Sequence, residues 1–390
     1  MSSGKHLLIA HKPHLVAFLR EPYLCSPLSK DKLLAISTTT GCILLNVKDM
    51  NKVTFCLEGE SVNNVFMSRN GKLFASTLTN GVLMSVDGKK WEQKSKGLHV
   101  KKVWTIEEDK HRKGVLYAGT QYGHLFRSGD EGENWEEMTG LFKAPNRRNW
   151  GIDWGYGTTG LTIHTIKSDP FIRDRLFIVV SGNGIYRSDD SGENWKQLKR
   201  GVTNKCPVAD EIGAPNTPKN NSLSAKEHLK MVHSCTHKIA LSIKTNGLIF
   251  QQNHCGIYVS KNEGRSWKDV SPDKQTRHGF AIAATKNDKV FTIPAYQDIC
   301  KEHLSCIKGM LRVLSSEDYG KTWKENRYGL PNDVHTCVLR DCLSVDENEP
   351  ANVFFGTTTG EVYHSADEGN SWERIMKDAG RIQGINVLSA

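Results

Sequence analysis

The chain has 390 residues, 38% of them hydrophobic, with 34 glycines and a formal net charge of +9. Counting glycine with the apolar residues gives an ordinary globular composition, and no run approaches the 18 apolar residues of a membrane-spanning helix. The positive charge is scattered in short pairs such as Lys89-Lys90, Lys101-Lys102 and Arg147-Arg148. Nucleic-acid binders usually gather such charge on one face, so neither nucleic acid nor membrane is an expected partner.

In chain order, residues 1–31 form an N-terminal extension. Its opening, MSSGKHLLIAHKPHLVAFLREPY, is broken by histidine, lysine and proline and does not read as a secretory signal. Residues 32–56 hold three short apolar runs, KLLAIST, GCILLNV and KVTFCL, that read as strands. A repeated skeleton, S-x-D-x-G-x-x-W, then begins at Ser128, Ser188, Ser316 and Ser365. A fifth copy starts at Ser260 with Asn262 in the aspartate position, and SVDGKKW from Ser85 is one residue short. The aspartate-position residues are Asp87, Asp130, Asp190, Asn262, Asp318 and Asp367.

Around each copy the same quartet recurs, as in VKKVWTIEE, VLYAGT, GHLFRSGD and NWEEMT. Four short runs rich in β-branched and aromatic residues, punctuated by Gly, Asp and Asn, predict a four-stranded meander, here lettered A to D. A unit of this size repeated along a chain points to a solenoid, array or propeller. Four-stranded units arranged radially are propeller blades. Six boxes predict six blades. The strands of 32–56 with the C-terminal run IQGINVLSA complete a seventh and close the ring, which removes exposed sheet edges. The fold expected is therefore all-β: one seven-bladed propeller over residues 32–390. A short helix is expected only near SAKEHLKMV (224–232).

The box falls at each C–D hairpin, and its residue types follow from that place. The Asp side chain accepts bonds from turn N–H groups, glycine supplies positive φ, and tryptophan wedges between blades. Asn262 keeps an acceptor oxygen, so its turn should close; the Ser85 copy needs a tighter one. The ten cysteines are dispersed, several in apolar runs (Cys42, Cys56, Cys337 and Cys342). That pattern suggests buried free thiols in a reducing compartment, and hence the cytoplasm.

The box resembles the Asp-box or BNR repeat of the sialidase superfold, found also in sortilin-type propellers. Stretches such as CTHKIAL, FQQNHCGIYVS, VLRDCLSVD and FFGTTTGEVYHSADEG are similar to a prokaryotic group of single-propeller proteins usually labelled sialidase-like or glycosyl-hydrolase-like. The resemblance implies the propeller and leaves the activity open, because propellers host unrelated functions.

D–A and B–C connections open on one face of a blade, and A–B and C–D turns on the other. The long segments 140–160, 199–236 and 296–310 fall on the face opposite the boxes, and loops on rigid scaffolds carry function. Candidate ligand-binding residues there are Trp154, His164, His237, Gln252, His254, His278, Arg340 and Asp341, with Trp150, Asp153 and Tyr156 beside them. Arg340 and Asp341 are expected mid-strand in an inner strand, one of them facing the channel. Such polar and aromatic residues around a concavity suit a peptide, a protein, or a small polar ligand such as a glycan.

Other chemistries fit less well. A sialidase would need an arginine cluster and a tyrosine nucleophile with a carboxylate partner; the triplet Arg20-Glu21-Pro22 is the only echo of it. A glycosidase needs two carboxylates flanking the bond, for which Asp153, Asp298 and Asp341 are candidates. His233, Cys235 and His237 with His254 and Cys255 offer metal-ligand types, but not zinc-site spacing. No phosphate-loop, dinucleotide or nucleophile-elbow motif occurs. The expectation is a monomeric, non-catalytic binding or scaffold propeller with no cofactor and no metal, and a glycoside hydrolase or lyase as the alternative.

Overall fold

The computed structural model describes residues 33–147, 150, 161–202, 235–298, 303–306 and 309–388. The chain begins on β1 (Leu33–Thr38), β2 (Gly41–Asn46) and β3 (Val53–Cys56). Six further units follow in order. The first is β4 (Val62–Met67), β5 (Leu73–Thr77), β6 (Val82–Ser85) and β7 (Glu92–Gln93); the second is β8 (Val103–Glu108), β9 (Leu116–Thr120), β10 (Leu125–Ser128) and β11 (Glu136–Glu137). The third is β12 (Ile163–Ser168), β13 (Leu176–Val180), β14 (Gly184–Ser188) and β15 (Lys196–Gln197). The fourth is β16 (Thr236–Leu241), β17 (Ile249–Asn253), β18 (Gly256–Ser260) and β19 (Lys268–Asp269). The fifth takes β20 (Gly279–Ala284) and β21 (Val290–Pro294), then, past a hairpin of β22 (Tyr296–Asp298) and β23 (His303–Ser305), β24 (Val313–Ser316) and β25 (Lys324–Asn326). The sixth is β26 (Leu343–Val345), β27 (Val353–Gly356), β28 (Val362–Ser365) and β29 (Glu373–Met376), and β30 (Ile382–Leu388) ends the chain.

Each unit is an antiparallel four-stranded sheet, and the seventh runs β3-β2-β1-β30. In that sheet the C-terminal strand is innermost and pairs with β1, Leu34 opposite Val387 and Ile36 opposite Ile385. The molecule is a seven-bladed β-propeller. Gln383 ties this closing blade to blade 1 by donating to Ser61 Oγ at 3.0 Å.

Position in the blade explains strand composition. Second strands such as LFIVV (β13) and VFTIP (β21) are buried along their whole length, between two neighbouring blades, and read as continuous apolar runs. Outer strands such as Glu136–Glu137 are two residues long and largely exposed. The hydrophobic clusters accordingly lie between blades: Phe74, Val82, Leu116, Phe126 and Trp135 join blades 1 and 2, and Phe177, Ile185, Ile249, Tyr258 and Trp267 join blades 3 and 4.

The repeated turns close as their residue types require. In the second blade, Ser128 Oγ donates to Asp130 Oδ1 at 2.8 Å, and Asp130 Oδ1 accepts from Asn134 N at 2.9 Å. Asn262 reproduces the arrangement, accepting from Ser266 N at 2.9 Å and donating to Ser266 Oγ at 2.9 Å. The shortened copy is tighter: Asp87 Oδ1 accepts from both Lys89 N and Lys90 N, at 2.8 and 2.9 Å. These bonds hold the aspartate carboxyls below their usual range, Asp318 at about 2, chiefly through the Thr322 N–H. Trp135 is buried, and its indole N–H reaches the Lys94 carbonyl of blade 1 at 2.8 Å.

One repeated feature escapes the motif. Gly97, Gly201 and Gly329, in the connections that leave one blade for the next, have φ of 93°, 87° and 86°. A Cβ there would lie 2.1, 2.2 and 1.9 Å from the carbonyl oxygens of Trp135, Trp267 and Trp372. Each connection thus presses its backbone against the box tryptophan of the following blade, and only glycine fits.

Three expectations need correction. Arg340 and Asp341 are not mid-strand: they sit in a turn just before β26, where Cys342 N bonds to Leu339 O at 3.0 Å and Asp341 bridges Gly384. Cysteines 42, 56, 235, 306, 337 and 342 are free, as the reading of buried thiols expects, but Cys255 departs from it and is disulfide-bonded. Trp150 packs into the core between blades 2 and 3, its indole N–H directed at Tyr186 Oη at 3.3 Å, instead of lining the opposite face. The helix expected near 224–232 lies outside the described residues, as do Trp154, Asp153 and Tyr156.

Candidate functional site

Seven inner strands deliver their first residues to one mouth of the central channel, opposite the repeated turns. Residues far apart in sequence meet there because the ring, and no local contact, sets their positions.

Arg340 reaches into this mouth from the approach to blade 6. The turn before β26 swings its guanidinium across the channel, where Cζ lies 5.7 Å from the ring centroid of Trp104 on β8. Trp104 belongs to blade 2 and Arg340 to the approach to blade 6, so the contact spans the channel. The arginine's positive charge is felt by His164, His237 and Cys235. No carboxylate pairs with Arg340 among the described residues. Among the described residues its Nε and the Trp104 Nε1 are buried without a hydrogen-bond partner.

Below Arg340 the channel holds a charge network. Lys238 on β16 pairs with Asp341, and Lys167 on β12 bonds Glu107 on β8 at 2.9 Å. Burial opposes the charge on Lys167, but Glu107, with a further contribution from Asp341, outweighs it and raises its pKa. Two carboxylates and two lysines from blades 2, 3, 4 and 6 are therefore mutually neutralised.

Histidines form the wall beside the arginine. His237 stacks on Phe280 at 4.6 Å, and His254 and His278 meet edge to face at 4.6 Å. His237 lies 5.5 Å from each of them. Backbone carbonyls fix two of the tautomers: His237 Nδ1 donates to Gly279 O at 2.6 Å and His278 Nδ1 donates to His254 O at 3.1 Å. Each ring keeps its Nε2 as an acceptor, and the His278 Nε2 is buried with no partner among the described residues. Burial depresses three of the histidines: His278 falls to about 4, and His237 and His164 fall well below the ordinary 6.5. Arg340 adds to the depression of His164 and His237. At neutral pH His164, His237 and His278 are therefore uncharged beside the arginine's fixed positive charge.

The eight candidate residues have different fates. His237, His254, His278, Arg340 and Asp341 gather at the mouth, with His164 buried close to Arg340. Gln252 is set back between blades 4 and 5: its Nε2 donates to Arg277 O at 2.8 Å and its Oε1 accepts from Thr292 Oγ1 at 2.9 Å. Those bonds occupy its amide with protein partners. Trp154 lies outside the described residues. Sequence reasoning missed Trp104, Lys238, Lys167 and Glu107. An inner strand reading VWTIEE beside one reading IHTIKS signals alternating charge near an axis, but only once the ring is assumed.

No family model and no curated protein matches the chain. Among solved structures it is similar to an ancestral GH74 enzyme, at 15% identity and a TM-score of 0.59; the match covers 81% of this chain and 38% of that one. The chain therefore spans well under half the length of that enzyme. It is also similar to YCF48 in a structure bound to D1 peptide, at 12% identity and a TM-score of 0.51, covering 88% of this chain and 84% of that one. At these identities the likeness concerns the fold.

Proposed function

We propose that this propeller is a non-catalytic binding or scaffold module whose channel mouth takes an anionic group from a peptide or protein segment. The observation that carries the reading is Arg340, a guanidinium in an aromatic-lined mouth with no carboxylate partner among the described residues. A carboxylate entering there would find a planar fork of donors and the unpartnered Trp104 N–H. The His237 and His278 Nε2 atoms would accept from N–H or O–H groups of the same ligand, so a peptide end or an acidic residue with its neighbouring amides satisfies the site. The peptide in the YCF48 structure is compatible with such a partner. In this reading the repeated turns belong to Asp-box propellers and serve structure alone.

Hydrolysis of a glycan, suggested by the GH74 likeness, fits less well. General acid and base roles need two available carboxylates, and of the described residues in the channel Glu107 and Asp341 are each held by a lysine, while Asp153 lies outside the described residues. The test is a panel of fluorescent peptides, with free and amidated C-termini and with acidic or neutral residues, titrated against wild type and Arg340→Gln. Reducing-sugar release from a glycan panel is measured alongside. Binding of carboxylate-bearing peptides that Arg340→Gln loses supports the reading; turnover of a glycan that Asp341→Asn abolishes overturns it.

A further inference from the structure

On the rim of the same face, away from the channel, blade 2 brings together three side chains from three separate elements. His99 lies in the connection entering β8, His124 at the turn opening β10, and Glu137 at the end of β11. Their ligating atoms all lie within 4.8 Å of one another. His124 Nδ1 is hydrogen-bonded to one Glu137 oxygen, and His99 Nε2 is 3.7 Å from the other. Two imidazole nitrogens and a carboxylate are thus aimed at a common point.

The rings are oriented by packing. His99 stands edge-on to Phe126 at 5.0 Å and to His124 at 5.1 Å, and His124 meets Phe142 edge-on at 6.1 Å. Phe126 belongs to the core between blades 1 and 2, so this floor is rigid. Phe142 is 44% exposed, a large apolar side chain kept at the surface beside the cluster. Side-chain exposure is 53% for His99 and 22% for both His124 and Glu137, so one side of the cluster is open to solvent.

We propose that His99, His124 and Glu137 bind a divalent transition-metal ion of the zinc class, leaving a coordination position open to water. Nitrogen ligands with one carboxylate suit zinc, nickel and copper better than magnesium or calcium, which prefer all-oxygen sites. Three protein ligands with an open position form the pattern of an exchangeable or reactive site, and a closed structural site would have four. Ligand atoms on one tetrahedral zinc lie about 3.3 Å apart, from bond lengths of about 2.0–2.1 Å. Small side-chain rotations reach that from the present separations. Arg147, whose charge Glu137 offsets, lies nearby and tempers the affinity. The proposal is independent of the Arg340 reading, since no residue is shared.

The test uses tag-free protein stripped with a chelator and titrated calorimetrically with Zn²⁺, Ni²⁺ and, as a contrast, Mg²⁺. Wild type should take up a saturable equivalent of Zn²⁺ that is weakened at least about tenfold in both His99→Ala and Glu137→Gln, the smallest loss typical even of outer-shell changes at metal sites. Mg²⁺ should not occupy it. Zinc held by other histidines would persist in both variants and is thereby told apart. His99 is exposed and Glu137→Gln is isosteric, so both variants should melt with wild type. Cobalt(II) bound in place of zinc should show ligand-field absorption that His124→Ala removes. Identical stoichiometry and affinity in wild type and both variants, or no zinc binding at all, overturns the proposal.

Discussion

The tryptophans of the repeated turns offer a paired test of how blades are joined. Trp135 and Trp372 are buried alike, at 4% and 5% exposure. They differ at one atom: the Trp135 indole N–H donates to Lys94 O across the blade interface, whereas the Trp372 N–H has no partner among the described residues. Replacing either with phenylalanine shrinks the ring by the same amount, a packing loss of about 1–2 kcal/mol at the low end of large-to-small core changes. At Trp135 the change also forfeits a hydrogen bond worth about 0.5–1.5 kcal/mol and strands a carbonyl. At Trp372 it removes a buried unpaired donor whose desolvation costs about 1–3 kcal/mol, which offsets the packing loss. Trp135→Phe should therefore destabilise by about 2–3 kcal/mol and Trp372→Phe by less than about 1 kcal/mol. Equilibrium urea unfolding, with midpoints converted by a common slope, measures the difference. Equal costs, or a larger cost at Trp372, would refute the claim that the indole N–H is a working inter-blade bond.

Gly329→Ala should destabilise by at least about 2 kcal/mol, since it combines positive φ with a Cβ 1.9 Å from Trp372 O; thermal melts read this, and a neutral variant would contradict the close approach. The Asp318 carboxyl is held near 2 from its ordinary 3.8. A depressed carboxyl stabilises the fold above its ordinary value and loses that contribution as pH falls from about 4 towards about 2. Asp318→Asn, which copies the natural Asn262, should flatten the acid limb of the urea midpoint in this window, and an unchanged limb would count against the turn bonds. Lys238→Met should cost about 2–4 kcal/mol by stranding Asp341, somewhat under the figure for a fully buried pair, and adding Asp341→Leu should recover most of it; a double variant as unstable as the single one would show that the pair is not the cause.

The ring was legible because its determinants are local and repeated. Six copies of one turn, each flanked by alternating or continuous apolar runs, specify blades, and the three strands at 32–56 lacked only the C-terminal partner that β30 supplies. The site was legible in part. His237, His278, Arg340 and Asp341 were picked out because they lie on or beside inner strands expected to converge on the face of the long loops. Their neighbours Trp104, Glu107 and Lys167 look like ordinary strand residues until blades 2, 3 and 6 are set around one axis. The turn holding Arg340 and Asp341 was misread as strand because CVLRDCLSVD is apolar-rich and stands where the other blades carry their first strand; the strand begins only at Leu343, and Asp341 instead makes an isolated parallel bridge to Gly384 on the last strand of the chain. Gln252 looked like a binding residue, yet three backbone carbonyls and a threonine claim its amide. The His99–His124–Glu137 grouping has no motif spacing, being assembled by a connection, a turn and an outer strand.

The central claim is that the channel mouth binds an anionic group through Arg340. Its most direct measurement is the affinity of a carboxylate-bearing peptide from the panel for wild type and for Arg340→Gln, with melting temperatures recorded in parallel. Loss of a charge-assisted contact worth about 1.5–3 kcal/mol should weaken binding about 10- to 150-fold while the melting temperature stays near that of wild type. Amidating the peptide's carboxylate should weaken binding to wild type similarly and have little further effect on the variant. Equal affinity of wild type and Arg340→Gln for every carboxylate-bearing peptide that binds would contradict the account.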